Sequence, residues 1–548
     1  MLPYCNHCYR RILHSMQISP TTRHILIFLL IILPFLYFLF GEYMNQDFWF
    51  DKTYTLVHFV FKDLKTIVQD YHVPNNHILH NLLNHLYLRA IGIVDVAELM
   101  DRPYRIRLLM FAYSLITIIY AYRTGKRFFN EGIAVITVAV LVTTIPFYNF
   151  TVQVRGYGMS IMLLTILLFY LLQYEADGRI RNALLVALLG ALAIYAIPSN
   201  IYFLMSIAVV YAISAIRSEL GFKREPSGTG KQPGRPADGK LQIQPDTKKN
   251  LSVIAMIAGS AGAAVVLYTP VFGEVIDNPW VRSDGLFNIH ILREVLPQTY
   301  IWFISKRYLI LLVIAVGLAG FLNRRSKGET FGYERHYVIF AALLVLPFVF
   351  SFIRGGNPFY RVFITLTPVF ALFVALSFFY CMRFLKATKT VAWAAAVIAA
   401  VIYCQITFVY AISEKNRHLL ADIEDGRISH NIYYNYFQGP YKPLQRTVQL
   451  THFLQLENGP VFTYHVESSL FSYLKKFRIA YDEIEFPIEA GQTDEGRPMY
   501  VLAAHPRQFV DNMTAQHPEI ECRRLHDDLS FHNVIRCRSR SQTKSSIP

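Results

Sequence analysis

The chain has 548 residues (63.2 kDa), of which 53% are hydrophobic and 17% charged, with a mean hydropathy of +0.31. Soluble domains carry close to a quarter charged residues, so a wholly soluble protein is excluded. The formal charge of +15 is distributed over particular loops, which calls for membrane topology and not for nucleic acid.

Apolar runs of the length needed to cross a bilayer, about 20 residues, recur along the chain. They predict about eleven spans, near 23–41, 105–122, 131–149, 157–174, 182–197, 200–216, 251–270, 301–321, 337–353, 361–381 and 391–411. A basic tail, 1–22, precedes the first span, and no small-residue cleavage site follows it, so this span reads as a retained anchor. Alternate connections carry the basic residues: Arg10 and Arg11; Arg123, Lys126 and Arg127; Arg179 and Arg181; the 223–249 stretch; Arg324, Arg325, Lys327 and Arg335; Arg383, Lys386 and Lys389. The positive-inside rule then predicts a cytoplasmic amino terminus in an inner or plasma membrane. The Pro-, Gly- and Lys-rich stretch 223–250 reads as a flexible cytoplasmic linker.

The transmembrane domain is thus placed at 23–412, with two long outer connections, 42–104 and 271–300. Loops of that length usually carry function. The first contains an amphipathic stretch (Ile78, Leu79, Leu82, Leu83, Leu86 and Leu88 among Asn and His) that suits an interfacial helix. The second holds Trp280, Arg282, Asp284, His290, Arg293 and Glu294, which reads equally as a cover for a site or as a solvated connection.

From 413 to 548 the composition is that of a soluble domain, which an odd number of spans leaves on the external, periplasmic side. Strands are predicted at 460–465, 499–503, 520–525 and 531–536, and helices at 467–476 and 506–516, giving a small α/β domain. Cys522 and Cys537 fall on the last two strands, and a cross-strand disulfide fits an oxidising compartment. Cys5 and Cys8 form a lone CxxC without the further ligands a zinc site requires.

Chemistry-bearing residues gather just past the first span. Glu42, Asp47 and Asp51 are followed by Lys52, Thr53, Tyr54 and Thr55, and then by His72, Asn75, Asn76, His77, His80 and His85. A carboxylate at that level faces a lipid-borne substrate and a water-borne one at once. A single Asp is more often a solvated loop residue, so its neighbours have to make the case. Arg155 and Arg361 begin later spans and suit phosphate through forked hydrogen bonds, with snorkelling at the interface as the alternative. Arg354 is a weaker third candidate. His77 and His80 could join Asp51 around a divalent metal, but substrate hydrogen bonding or interface packing is the favoured reading, with His77 as the first contact.

The pattern resembles the GT-C membrane glycosyltransferases, in particular the lipid A aminoarabinose transferases, protein O-mannosyltransferases and rhizobial lipopolysaccharide transferases. The resemblance rests on Asp51-Lys52, on Asn75-Asn76-His77 opening a Leu-rich segment that closes at Gly92, on Arg155-Gly156-Tyr157, and on Tyr360-Arg361 followed by Pro368. It covers roughly residues 25 to 380. Lys52 stands where those families carry a second acid.

The resemblance implies a sugar moved from a polyprenyl-phosphate donor to an acceptor hydroxyl of a glycan, lipid or protein at the outer membrane face, with inversion. Asp51 would be the base, with Asp47 as the alternative. Arg155, Tyr157 and Arg361 would bind the lipid phosphate, and Tyr54, Asn75, Asn76, His77 and His80 the substrate. No cofactor is firmly implied, and a divalent metal is not favoured. The rival readings are a transporter or flippase with an external cap, and a non-catalytic relative, to which Lys52 points. Transporters place ionisable groups near mid-membrane, whereas the polar clusters here sit at span ends.

Overall fold

The computed structural model describes residues 20–48, 50–150, 152–222, 245–278, 285–304, 334–356, 358, 360–384, 388–408, 448, 460–466, 468–485, 498–503, 506–525 and 533–539. The tail with Cys5 and Cys8, most of the 223–250 linker, and Trp280, Arg282 and Asp284 lie outside these residues.

Helix α1 (Pro20–Phe38) continues through one π turn, Leu39–Tyr43. Leu26, Leu29, Leu30 and Leu33 are exposed, while Ile27, Ile31 and Phe35 are buried. A helix apolar on both sides yet buried on only one suits lipid on the other. Among the described residues six segments are long and apolar enough to cross a membrane: Tyr104–Phe128, Tyr157–Asp177, Pro198–Glu219, Thr247–Ile276, Arg335–Arg354 and Tyr360–Met382. Shorter apolar helices, Leu26–Gly41, Glu131–Thr143, Ile180–Ala196 and Val391–Ile406, fall at four more of the predicted spans. The remaining one, 301–321, lies outside the described residues beyond Ile304.

The long connection 42–104 is helical in pieces, among them α2 (Phe50–Thr55) and α3 (Ile78–Ala90). On α3 the polar residues His80, Asn81, Asn84 and His85 are buried, and Leu83 and Leu86 are exposed. This inverts the order of a soluble surface helix and matches an interfacial one lying on the bundle. Then α4 (Tyr104–Phe128) turns back into α5 (Glu131–Thr143), capped by Asn130, whose side chain accepts from the Ile133 N–H at 2.9 Å. The predicted span 131–149 is broken after Thr143, and a short helix, Ile145–Phe150, follows. Pro146 has no N–H to give to residue 142, and its ring obstructs the preceding turn.

The hairpin of α6 (Tyr157–Asp177) and α7 (Ile180–Ala196) closes on Gly178, held at φ 65°, where only glycine is comfortable. Short turns make these helices antiparallel, so connections 42–104, 144–156 and 197–200 share one end of the bundle.

The carboxyl-terminal domain has β1 (Val461–Tyr464), α8 (Ser468–Lys476), β2 (Asp482–Glu483), β3 (Met499–Ala503), α9 (Pro506–Gln516), β4 (Ile520–Arg524) and β5 (Asn533–Ser539). Its sheet order is β2-β1-β3-β5-β4, with β1 parallel to β2 and β3, and β5 antiparallel to β3 and β4. Period-two alternation divides the sheet. Phe462, Val501 and Ile535 pack with Phe509 and Met513 of α9. Val461, Tyr500, Leu502 and Val534 join Leu470, Tyr473 and Leu474 of α8 in the core of the bundle itself. Cys522 and Cys537 are direct cross-strand partners joined by a disulfide.

Candidate active site

Helix α2 starts one short turn after the first span and carries Asp51 to the end of the bundle where α6 begins. There Arg361 Nη1 donates to Asp51 Oδ2 at 3.1 Å, and Arg155 Nη2 stands 3.9 Å from the same oxygen. Asn75 bridges the two charges, its Nδ2 donating to Asp51 Oδ1 at 3.4 Å and its Oδ1 accepting from Arg155 Nη2 at 3.0 Å. Arg155 Nη1 reaches Thr55 Oγ1 at 3.4 Å, and that hydroxyl donates to the Asp51 carbonyl at 2.7 Å.

The Arg155 side chain is only 3% exposed, and its Nε has no partner among the described residues. A buried guanidinium N–H left unpaired is costly, so the group is prepared for an acceptor. Burial pushes the Asp51 carboxyl up, but Arg155, Arg361 and the Asn75 hydrogen bond outweigh it and hold the group below its ordinary value. Lys52, 3% exposed, is driven well below the usual lysine range by burial and by the Arg107 charge, with Asp51 opposing.

Among the other predicted residues, Tyr157 lies under Arg155, whose Cζ is 5.9 Å from the ring centre. His77 accepts the Gly156 N–H on Nδ1 at 2.8 Å and packs edge-on against Tyr157. Gly156 is required by that approach, because a Cβ there would sit 2.9 Å from His77 Nδ1. Asn76 is buried in backbone contacts, donating to the Ile67 carbonyl at 2.8 Å and the Asp70 carbonyl at 2.6 Å. His80 is fully buried with neither ring nitrogen paired, and burial pushes it down to about 3. Tyr54 hydrogen-bonds His72 at 2.7 Å. Arg354 lies apart, on the Tyr202 hydroxyl at 2.9 Å. Among the described residues no three His, Cys, Asp or Glu side chains group as metal ligands, so His77, His80 and Asp51 do not form such a set.

Asp47 occupies a different environment. Arg107, 1% exposed, donates to the carbonyls of Met44 at 2.9 Å, of Gln46, and of Asp47 at 3.3 Å, with its guanidinium over the Phe48 ring. Tyr473 of α8 accepts the Phe48 N–H at 3.1 Å. Burial and then the Asp47 carboxylate hold the Tyr473 phenol well above its ordinary value. Lys476, one turn on, pairs with Asp101.

The small domain therefore grips the segment that leads into Asp51, a role no motif announced for Arg107 or Tyr473. Tyr473→Phe strands a buried N–H, so it is expected to cost about 1–3 kcal/mol of stability. Thermal unfolding of the purified variant measures this, and an unchanged transition would remove the grip.

The family model described as "Dolichyl-phosphate-mannose-protein mannosyltransferase" matches residues 96–224. The chain resembles the GT-C membrane glycosyltransferases. The matched stretch contains Arg155 and Tyr157 and stops short of Arg361, while Asp51 precedes it.

Solved structures with a similar course of chain include ArnT from Cupriavidus metallidurans in the apo state. It has 10% identity and a TM-score of 0.48, over 95% of this chain and 98% of that one. The same protein bound to undecaprenyl phosphate matches at 10% identity and a TM-score of 0.46, over 94% and 98%. The Archaeoglobus fulgidus oligosaccharyltransferase tethered with an acceptor peptide matches at 11% and 0.42, over 87% and 65%. No curated protein matches the chain in sequence.

Proposed function

We propose that this GT-C-like membrane protein transfers a sugar from a polyprenyl-phosphate donor to an acceptor hydroxyl, by a single displacement with inversion. The observation that carries the reading is the meeting of Asp51, Asn75, Arg155 and Arg361 at one end of the bundle, with Arg155 Nε unpaired. The acceptor oxygen attacks the anomeric carbon, the bond to the phosphate oxygen breaks, and Asp51 takes the hydroxyl proton. Arg155 and Arg361 receive the charge gathering on the departing lipid phosphate.

Donor and carboxylate compete for the same guanidiniums. When the phosphate draws Arg361 away, Asp51 loses one of the neighbours that depress its pKa and becomes a stronger base at the moment it is needed. The match to a mannosyltransferase family model, and an ArnT structure holding undecaprenyl phosphate, make polyprenyl-phosphate sugars the donors to try first.

The test is release of polyprenyl phosphate from such donors by purified protein. Release that depends on an acceptor supports the reading. Its absence across the donor panel favours the non-catalytic alternative that Lys52 raises.

The site is proposed to face the periplasmic or outer side, with a cytoplasmic amino terminus, because the basic residues Arg123, Lys126, Arg127, Arg179 and Arg181 occupy the opposite end. Cysteine labelling of intact cells is expected to reach the carboxyl-terminal domain and to miss the 223–250 stretch. Labelling of that stretch from outside would reverse the orientation.

A further inference from the structure

The segments that carry Asp51 and Asn75 also hold a second set of side chains that the transfer chemistry leaves unused. Asp70 Oδ1 accepts from the His72 backbone N–H at 3.2 Å and from the His72 ring at Nδ1. An ionised carboxylate only accepts, so His72 Nδ1 carries a proton. In the neutral ring Nε2 then accepts from the Tyr54 hydroxyl, 2.7 Å away. The His58 ring stacks on Tyr54 with centroids 4.1 Å apart and planes 22° from parallel.

This chain of groups is fixed from behind. Asn76 holds the Asp70 carbonyl, while Glu274 and Asn278 of the second long connection hold the backbone of Tyr71. Its front is open, with the side chain of His72 47% exposed and that of Asp70 34%. Both supports also belong to the Asp51 site. Tyr54 is one helical turn from Asp51 on α2, and His72 is three residues before Asn75.

The two halves differ in the ligand they suit. The Arg155 and Arg361 side is cationic and fits a phosphate. The Asp70 side presents a carboxylate, which repels phosphate but accepts from hydroxyls, together with a flat stacked pair of rings that can cover the apolar face of a pyranose.

We propose that Tyr54, His58, Asp70 and His72 form the acceptor subsite, and that it takes a neutral sugar residue lying on the Tyr54–His58 pair with hydroxyls turned to Asp70. This rests on the glycosyltransferase reading above and adds the class of acceptor to it. Asp70 holds His72 and His72 holds the Tyr54 hydroxyl, so the ring on which the sugar lies is fixed in place.

The test uses full-length purified protein, a polyprenyl-phosphate sugar that it consumes, and a panel of methyl glycosides as acceptor probes, with polyprenyl phosphate release as the readout. Glycosides are expected to stimulate release. Asp70→Asn and His58→Ala are each expected to raise the glycoside KM about tenfold, the scale of one hydrogen bond to a charged group or one aromatic contact, while the donor KM stays constant. Unchanged glycoside KM in both variants overturns the subsite. So does stimulation by hydroxyl-bearing peptides with none by glycosides, an outcome that leaves the transferase reading intact. A wild-type protein that consumes no donor fails at the earlier step, and the subsite falls with it.

Discussion

Asp51→Asn is expected to lower turnover by about 100-fold or more, the usual scale for losing a general base. Asn keeps the size of the side chain and its single oxygen can still accept from one of the two donors, Arg361 or Asn75, so the fold should survive. What it cannot do is take a proton. The pH profile gives a second reading of the same group. Because the two arginines and Asn75 hold the Asp51 carboxyl below its ordinary 3.8, the free enzyme keeps the base form down to that pH, and the acid limb of kcat/KM should lie lower still. In kcat, which reports the donor complex, the limb should move upward as the phosphate takes Arg361 from the carboxylate. Asp47→Asn should act mainly on stability, through the loss of the carboxylate charge beside Tyr473 and Arg107. Full turnover in the Asp51 variant would remove the assignment, and a 100-fold loss confined to the Asp47 variant would move it four residues upstream.

Arg155→Lys and Arg361→Lys should each reduce kcat/KM for the donor by about tenfold or more, although the charge is kept, because an ammonium cannot offer two parallel N–H groups to one phosphate. A lysine at position 155 also leaves Thr55 and Asn75 short of a partner. Near-normal kinetics in both variants, at matched expression, would return these residues to simple anchoring at the membrane surface.

Much of the candidate site was legible in the sequence for a single physical reason: a charge next to an apolar span is expensive, so Asp51, Arg155 and Arg361 stand out where they occur. The multi-span helical class and the sheet of the carboxyl-terminal domain were legible too, from span-length apolar runs and from short strands between turn residues.

What the sequence concealed depends on contacts across long separations. Arg107 reads as one more basic residue at a span end, yet it binds three carbonyls about 60 residues away. Tyr473 is one of 35 tyrosines, and nothing local announces that it meets Phe48 from 425 residues on. His77, read as the first substrate contact, has its Nδ1 taken by the Gly156 N–H, a close approach visible only once α3 and α6 are side by side. The break after Thr143 was missed because Pro146 lies inside an otherwise continuous apolar run.

The most direct measurement is a structure of the protein with a polyprenyl phosphate bound. The phosphate should accept from Arg155 Nε and from Arg361, with Arg361 drawn off Asp51. A phosphate bound elsewhere, with the Asp51–Arg361 pair intact and Arg155 Nε still unpaired, would contradict the account.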